Sequence, residues 1–237
     1  MDKTTTYAAM FGVLLGVGSL AQADLFVPGG YAEVEGNWEN QFPFSNNARY
    51  QQVWEGSLFT ETGPIEITSI SFRMDGPAGA GFAGAPVFGP QIRMSTTSAG
   101  ENSLATSFDA NLGADVMTVR DTVTNPLHVS STAAFTSAGT RVFDVIIEFD
   151  QAFIYDPSQG ALLLDVTGNL MAGASRFFDG VEVANDGMSR MFNQVAQDNG
   201  FIDTGALVVQ FNYTPVPAPG ALALLGLGGL VSVRRTR

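Results

Sequence analysis

A two-residue alternation between Arg141 and Asp150 constrains this chain more than any other feature. Phe143, Val145, Ile147 and Phe149 alternate with Asp144, Ile146 and Glu148. A period of two with one apolar face is the signature of a half-buried β-strand and is incompatible with a helix, whose apolar positions recur every three to four residues. Helical periodicity is nearly absent from the rest of the interior. Short β-rich runs set off by Gly, Pro, Asn, Asp and Ser take its place, the pattern of an all-β sandwich. Tyr50 to Thr60, Gln91 to Thr97, Ser175 to Phe178, Met188 to Asn193 and Ala206 to Tyr213 read as strands. Val116 to Arg120 and Val123 to Val129 read as a pair joined at Asp121-Thr122, and Ala161 to Val166 as a central strand. In Ile65 to Met74, Ile65 and Ile67 share one face while Ile70, Phe72 and Met74 share the other, which predicts a bulge near Ser69. Gly76 to Pro90, rich in glycine and proline, reads as a loop. The expectation is one jelly-roll-like β-sandwich of about ten strands. No fixed-period repeat suggests a solenoid or propeller.

The two ends have a different character. Lys3, beside Asp2, supplies a minimal basic n-region, Tyr7 to Leu20 is apolar, and Ala21-Gln22-Ala23 is an A-x-A site. These are the parts of a secretory signal peptide, residues 1–23, cut by signal peptidase after Ala23. At the other end a spacer with Pro215, Pro217 and Pro219 precedes an apolar run from Ala221 to Val233 and a basic end of Arg234, Arg235 and Arg237. Proline removes a backbone donor, so the spacer is expected to end the strand before it. The run has 13 residues, fewer than the roughly 20 of an ordinary membrane span. Its glycines are common in membrane helices, and its arginines would hold that end on the cytoplasmic side. Residues 24–213 are left as the body.

The succession of spacer, short apolar run and arginine-rich end resembles the PEP-CTERM sorting signal of Gram-negative bacteria. Pro217 and Pro219 match the two prolines of that motif, and Ala218 stands where the family usually has glutamate. The resemblance implies processing of residues 214–237 by an exosortase-type enzyme and an association with exopolysaccharide. The body segments YQQVWEGSLF, ITSISFRMD, IRMSTTS, FDANLGADV, FDVIIEFDQAFIYDPSQGALLLDV and SRFFDGVEVANDGMSRMF also resemble a recurrent group of exported PEP-CTERM proteins, over most of Tyr50 to Phe211. That group implies a class and no chemistry. The implied address is an inner-membrane-anchored precursor, then the cell surface or extracellular matrix.

Composition narrows the chemistry. The chain has 23 acidic and 11 basic residues; without the two terminal signals, 22 acidic and 7 basic residues remain, with no lysine. Such a body repels nucleic acid and anionic membrane surfaces. There is no cysteine, which excludes thiol chemistry, disulfides and Cys/His zinc sites. One histidine, His128, and no G-x-S-x-G elbow leave nucleophilic catalysis without its parts. No glycine-rich loop has a phosphate-binding pattern. Clustered oxygen ligands suit Ca²⁺. Asp109, Asn111 and Asp115, with Gly113 among them, form one candidate set; Asp179, Glu182, Asn185 and Asp186 form another. The same Asx residues also serve turns without any metal. Trp38 and Trp54 are the candidate platforms for a glycan. The expectation is an exported, non-enzymatic structural or adhesive protein. A Ca²⁺-assisted, lectin-like module is the first alternative, and a glycan hydrolase using two carboxylates is the second.

Overall fold

The structure is a computed structural model that describes residues 22–217, except 42, 44–47, 89–90, 172–175, 194 and 196. The residues of the expected signal peptide up to Ala21 lie outside it. So do Ala218, Pro219 and the tail through Arg234, Arg235 and Arg237.

The strands, in chain order, are β1 (Ala23–Val27), β2 (Trp38–Asn40), β3 (Ala48–Trp54), β4 (Ile65–Phe72), β5 (Phe82–Phe88), β6 (Gln91–Thr97), β7 (Met117–Asp121) and β8 (Leu127–Ser131). They continue with β9 (Val145–Tyr155), β10 (Ala161–Met171), β11 (Phe178–Glu182), β12 (Met188–Asn193), β13 (Phe201–Asp203), β14 (Gly205–Leu207) and β15 (Val209–Pro215). The body is all-β, and no helix among the described residues is long and apolar enough to cross a membrane.

One sheet runs β1-β15-β4-β9. A larger one runs β13-β12-β3-β10-β5-β8, with β6 also on β10 and β7 on β6. A small sheet of β14, β11 and β2 lies beside them. Every pairing is antiparallel.

Register in the four-stranded sheet is clean. Leu25, Phe211, Ile70 and Ile147 form one cross-strand row, and Val27, Val209, Phe72 and Val145 form another. All eight are buried and face the larger sheet, meeting Trp54, Met94, Leu162, Leu164 and Val166 in one core. Burying each such side chain contributes about 1.5–3 kcal/mol relative to exposure. The rows between them, Asp24–Asn212–Ser69–Glu148 and Phe26–Gln210–Ser71–Ile146, therefore face outward. Thr68 is the extra residue that switches the phase of β4: Ile67 and Ser69 face consecutive residues, Tyr213 and Asn212, of β15. The bulge lies where the change of face in ITSISF requires one.

The centre of the larger sheet is covered on both sides. The strap from Ser98 to Val116 lies over its outer face, where Val53, Ala161 and Leu163 pack against Leu104 and Leu112. This explains the continuous apolar run of β10, since a strand buried on both faces has no reason to alternate.

Several expected boundaries move. β5 lies within the glycine- and proline-rich segment read as a loop, and β3 ends at Trp54, six residues before Thr60. β7 and β8 do not pair with each other; β7 joins β6 and β8 joins β5. β15 runs on through Thr214 to Pro215, where proline's missing donor falls at the strand end, and Val216 N–H donates to the Pro64 carbonyl.

Candidate functional site

The outward rows of the four-stranded sheet make a trough. Its floor is Ser69 and Ser71 on β4, with Asn212 and Gln210 of β15 rising on one side and Glu148 and Ile146 of β9 on the other. The serines face outward yet are only 4% and 6% exposed, because their longer neighbours shade them. The resulting cavity is about 290 Å³ and is also lined by Gln22, Asp24 and Phe143. Asn212 Nδ2 donates to Asp24 Oδ1 at 3.0 Å, and Gln22 Nε2 donates to Thr68 Oγ1 at 3.0 Å. Amides and carboxylates over a small-residue floor, with an aromatic ring at one end, offer a polyhydroxylated ligand both hydrogen bonds and an apolar contact. Two further cavities, of about 320 Å³ beside Glu55 and Ser158 and about 450 Å³ beside Asp121 and Asp150, have no aromatic lining.

Phe143 is held at the end of the trough by a buried ion pair. The alternation of β4 carries Arg73 to the same side as Ser69 and Ser71, and its guanidinium lies 4.9 Å from the Phe143 ring centroid. Phe26 meets that ring at 5.4 Å. Arg73 is fully buried; its Nε donates to Asp179 Oδ2 at 2.6 Å, and its other nitrogens reach the Ala32 and Val34 carbonyls. Asp179 is also fully buried and accepts from Gly36 N–H at 2.9 Å. Burial pushes its carboxyl up to about 6, against the opposing pull of Arg73.

Glu35, Asp75 and Asp179 place carboxylate oxygens within 4.8 Å of one another. This is the set of described residues that could hold a cation, and it differs from both sets expected from sequence. Its members already have donors. Glu35 accepts from Gly76 N–H and Asp75 from Ala78 N–H, while Arg73 supplies positive charge.

A Cβ at Gly36 would overlap the Gly180 carbonyl oxygen and crowd Asp179 Oδ1. Gly36→Ala is expected to displace Asp179's backbone donor and lower the thermal midpoint by several degrees, about 1–3 kcal/mol. An unchanged midpoint in a thermal melt would show that the segment yields freely.

The expected calcium residues go elsewhere. Asp109 is exposed and pairs with Arg49 at 2.7 Å, whose hydrogen bond holds its carboxyl below the usual range. Asn111 is 1% exposed and pins the strap instead: its Nδ2 donates to Gln51 Oε1 and the Ala105 carbonyl, and its Oδ1 accepts from Ala105 N–H. Asp115 accepts from Thr96 N–H. In the second set, Asp179 joins Arg73, while Asp186 accepts from Met188 N–H in the turn before β12. Burial raises the Asp186 carboxyl. Asn185 takes the left-handed conformation of that turn, and Asn37 bonds the backbone of Glu182.

Neither tryptophan lines the cavities described above. Trp54 is fully buried and packs edge-on against Phe211 at 5.3 Å, so it offers no ring face to a glycan. Trp38 is half-buried. Arg190 stands 4.3 Å over its ring, and Gly180 and Gly205 approach it so closely that a Cβ on either would collide with it. Of the three cavities described, the one with an aromatic lining has Phe143, which the alternating pattern assigned to the core.

Asp24 and Glu148 are the carboxylates of the trough. They stand three strand steps apart in one row, roughly 14 Å at about 4.8 Å per step. A glycosidase pair needs about 5–9.5 Å, so these two do not form one. No family model, curated protein or solved structure matches the chain, and the geometry of these residues is what bears on its function.

Proposed function

We propose that this is an exported, non-enzymatic protein of the cell envelope or extracellular matrix of a Gram-negative bacterium, whose jelly-roll-like body adheres to exopolysaccharide through the trough. The trough carries this reading: a shallow, hydrogen-bonding cavity with an aromatic end on the outer face of a rigid sheet. Export by a cleaved signal peptide and sorting by a PEP-CTERM-like tail with a short membrane helix, processed by an exosortase-type enzyme, complete it. These rest on the sequence patterns of residues 1–23 and 214–237. The fold accommodates them in one respect. Ala23 pairs with Tyr213, so the residues next to the two sequence patterns lie side by side at one end of the sheet, and cleavage after Ala23 would keep Asp24 to Val27 on the sheet.

The test is co-sedimentation of the purified chain with its host's exopolysaccharide. Ser71→Trp fills the floor from the outer face and is expected to reduce saturable binding at least about tenfold, the equivalent of 1.4 kcal/mol. Gln210→Ala, which removes one amide from the wall, should reduce it about threefold to tenfold. Both should keep the thermal midpoint within a few degrees. Undiminished binding by a folded Ser71→Trp protein would rule out the trough. The same titration in Ca²⁺ and in EDTA tests whether a cation assists binding, at the two sets expected from sequence or at Glu35, Asp75 and Asp179.

A further inference from the structure

We infer that, while its tail is attached, the protein stands end-on to the membrane, with the loops 55–64 and 156–160 tethered against the lipid headgroups. This rests on the membrane-anchored precursor proposed above and names the face of the body that meets the lipid. Its basis is where the chain leaves the fold and how little of it remains before the apolar run. Residues 55–64 join β3 to β4, and 156–160 join β9 to β10. β15 runs out beside both loops, because Pro215 pairs with Ile65 and Ile65 pairs with Tyr155.

That exit is tied down to its last residues. Tyr213 Oη donates to Glu61, Thr214 Oγ1 donates to Glu66 Oε2 at 3.2 Å, and Val216 N–H donates to the Pro64 carbonyl at 2.9 Å. The apolar run begins at Ala221, five residues after Val216. Five residues reach about 18 Å at full extension, and crossing the headgroup layer uses roughly 5–7 Å of it. Val216 is therefore held within about 13 Å of the headgroup surface. The run has 13 residues, a helix of about 20 Å against a hydrocarbon core of about 30 Å. It has no surplus length to lend the tether.

The short chain, and not adhesion, holds this face in place. Among the described residues, the arginine ion pairs end on Asp109, Asp150, Asp165, Asp179 and Asp203, and none reaches Glu55, Glu61, Glu66 or Asp156. An anionic lipid surface repels such a face. The orientation also aims the trough. The row of Ser69 and Asn212 lies nearer the lipid, and the row of Ser71 with Phe143 beyond it lies farther out.

The chain has no cysteine, so one introduced thiol can carry a fluorophore. Thr62→Cys and Gln159→Cys put it on the two loops. Val123→Cys puts it at the opposite end, since Thr97 of β6 faces Ala161 while Gln91 faces Asp121. All three positions are exposed. The seven residues of β6 separate the ends by about 23 Å, beyond the reach of contact quenching. The chain from Asp24 to Arg237, as signal cleavage leaves it, is reconstituted into phosphatidylcholine–phosphatidylglycerol vesicles that carry a headgroup spin-label quencher. Labels at Thr62→Cys and Gln159→Cys are expected to be quenched severalfold more than the label at Val123→Cys. A Gly/Ser spacer of about 20 residues between Pro217 and Ala218 adds about 25 Å of reach and should bring loop quenching down to the Val123→Cys level. Equal quenching at all three positions, or the strongest at Val123→Cys, overturns the inference and leaves the anchor standing. Loop quenching that survives the spacer means that the face adheres by itself, which overturns the tether. A chain that does not float with the vesicles overturns both the anchor and the inference.

Discussion

Arg73→Met is expected to destabilise the body by about 3–5 kcal/mol, the usual cost of leaving one member of a buried ion pair alone. That is a large share of the roughly 5–15 kcal/mol that holds a domain together. Methionine matches the length of the arginine stem but leaves Asp179 beside Glu35 and Asp75 with no cation. The loss should depend on pH. Folded Asp179 titrates near 6, above its ordinary 3.8, so folding favours its proton. Its ionisation therefore costs stability fully above about pH 6, and the cost is relieved as pH falls from about 6 towards 3.8. Without Arg73 the carboxyl should rise further. The deficit measured by urea unfolding should then be clearly smaller at pH 5 than at pH 7. A deficit equal at both values would mean that packing, and not the stranded carboxylate, is responsible. Arg73→Met with Asp179→Asn should recover part of the loss, since replacing both charges removes the unpaired one. Phe143 rests on this guanidinium, so the single variant should also weaken ligand binding in the trough.

The second large effect is expected at Asp165, in the centre of β10. It is 1% exposed and accepts from Arg49 Nε at 3.0 Å, Gln51 Nε2 at 2.8 Å, and Arg93 Nε and Nη2 at 2.8 and 2.6 Å. Asp165→Leu should remove about 3–5 kcal/mol, because Arg93 is left without this carboxylate and Arg49 keeps Asp109 alone. Asp165→Asn, with one anionic acceptor fewer, should lose roughly half as much. The strap should loosen with it. Gln51 bonds both Asp165 and the Phe108 carbonyl, and Arg49 lies 4.7 Å from the Phe108 ring centroid. Hydrogen exchange at residues 105–112 should accelerate more than exchange in β4. Uniform acceleration through the body would mean that the network supports the whole fold and not the strap in particular.

β10, covered on both sides, was legible from its continuous apolar run, and β4 and β9 from the residues that look outward. β9 alternates because Ile146 and Glu148 look outward, and β4 announces its bulge because the apolar positions change parity at Thr68. The burial of individual polar residues under such a cover was harder to read. In β3, Gln51 and Gln52 look like solvent-facing residues, yet both are buried: Gln51 bonds Asp165 and Phe108, and Gln52 bonds both backbone groups of Leu207. This is also why Trp54 read as a candidate platform when it is core. Asn111 misled for a related reason, since an Asx residue that satisfies buried backbone looks the same in sequence as one waiting for a metal. The acidic trio was out of reach. Asp75 and Asp179 come from distant parts of the chain, and the sheets that bring them beside Glu35 leave no local spacing to read. The trough left a faint trace in Ser69 and Ser71, short polar residues spaced by two within an apolar strand.

The neighbourhood of β1 and β15 has a mechanical meaning. The C-terminal segment leaves the body directly from β15, and β15 supplies Gln210 and Asn212 to the trough wall. If a polymer grips the trough while the tail is held, tension passes from ligand to anchor along one strand and need not cross the hydrophobic interior. That strand is hydrogen-bonded on both sides, to β1 and to β4. A pull along its axis would load both ladders in shear, so many hydrogen bonds would resist together. A pull across its axis would open them one by one. The body is therefore suited to a steady drag in one direction, as a surface protein tethered at its tail would meet in flow.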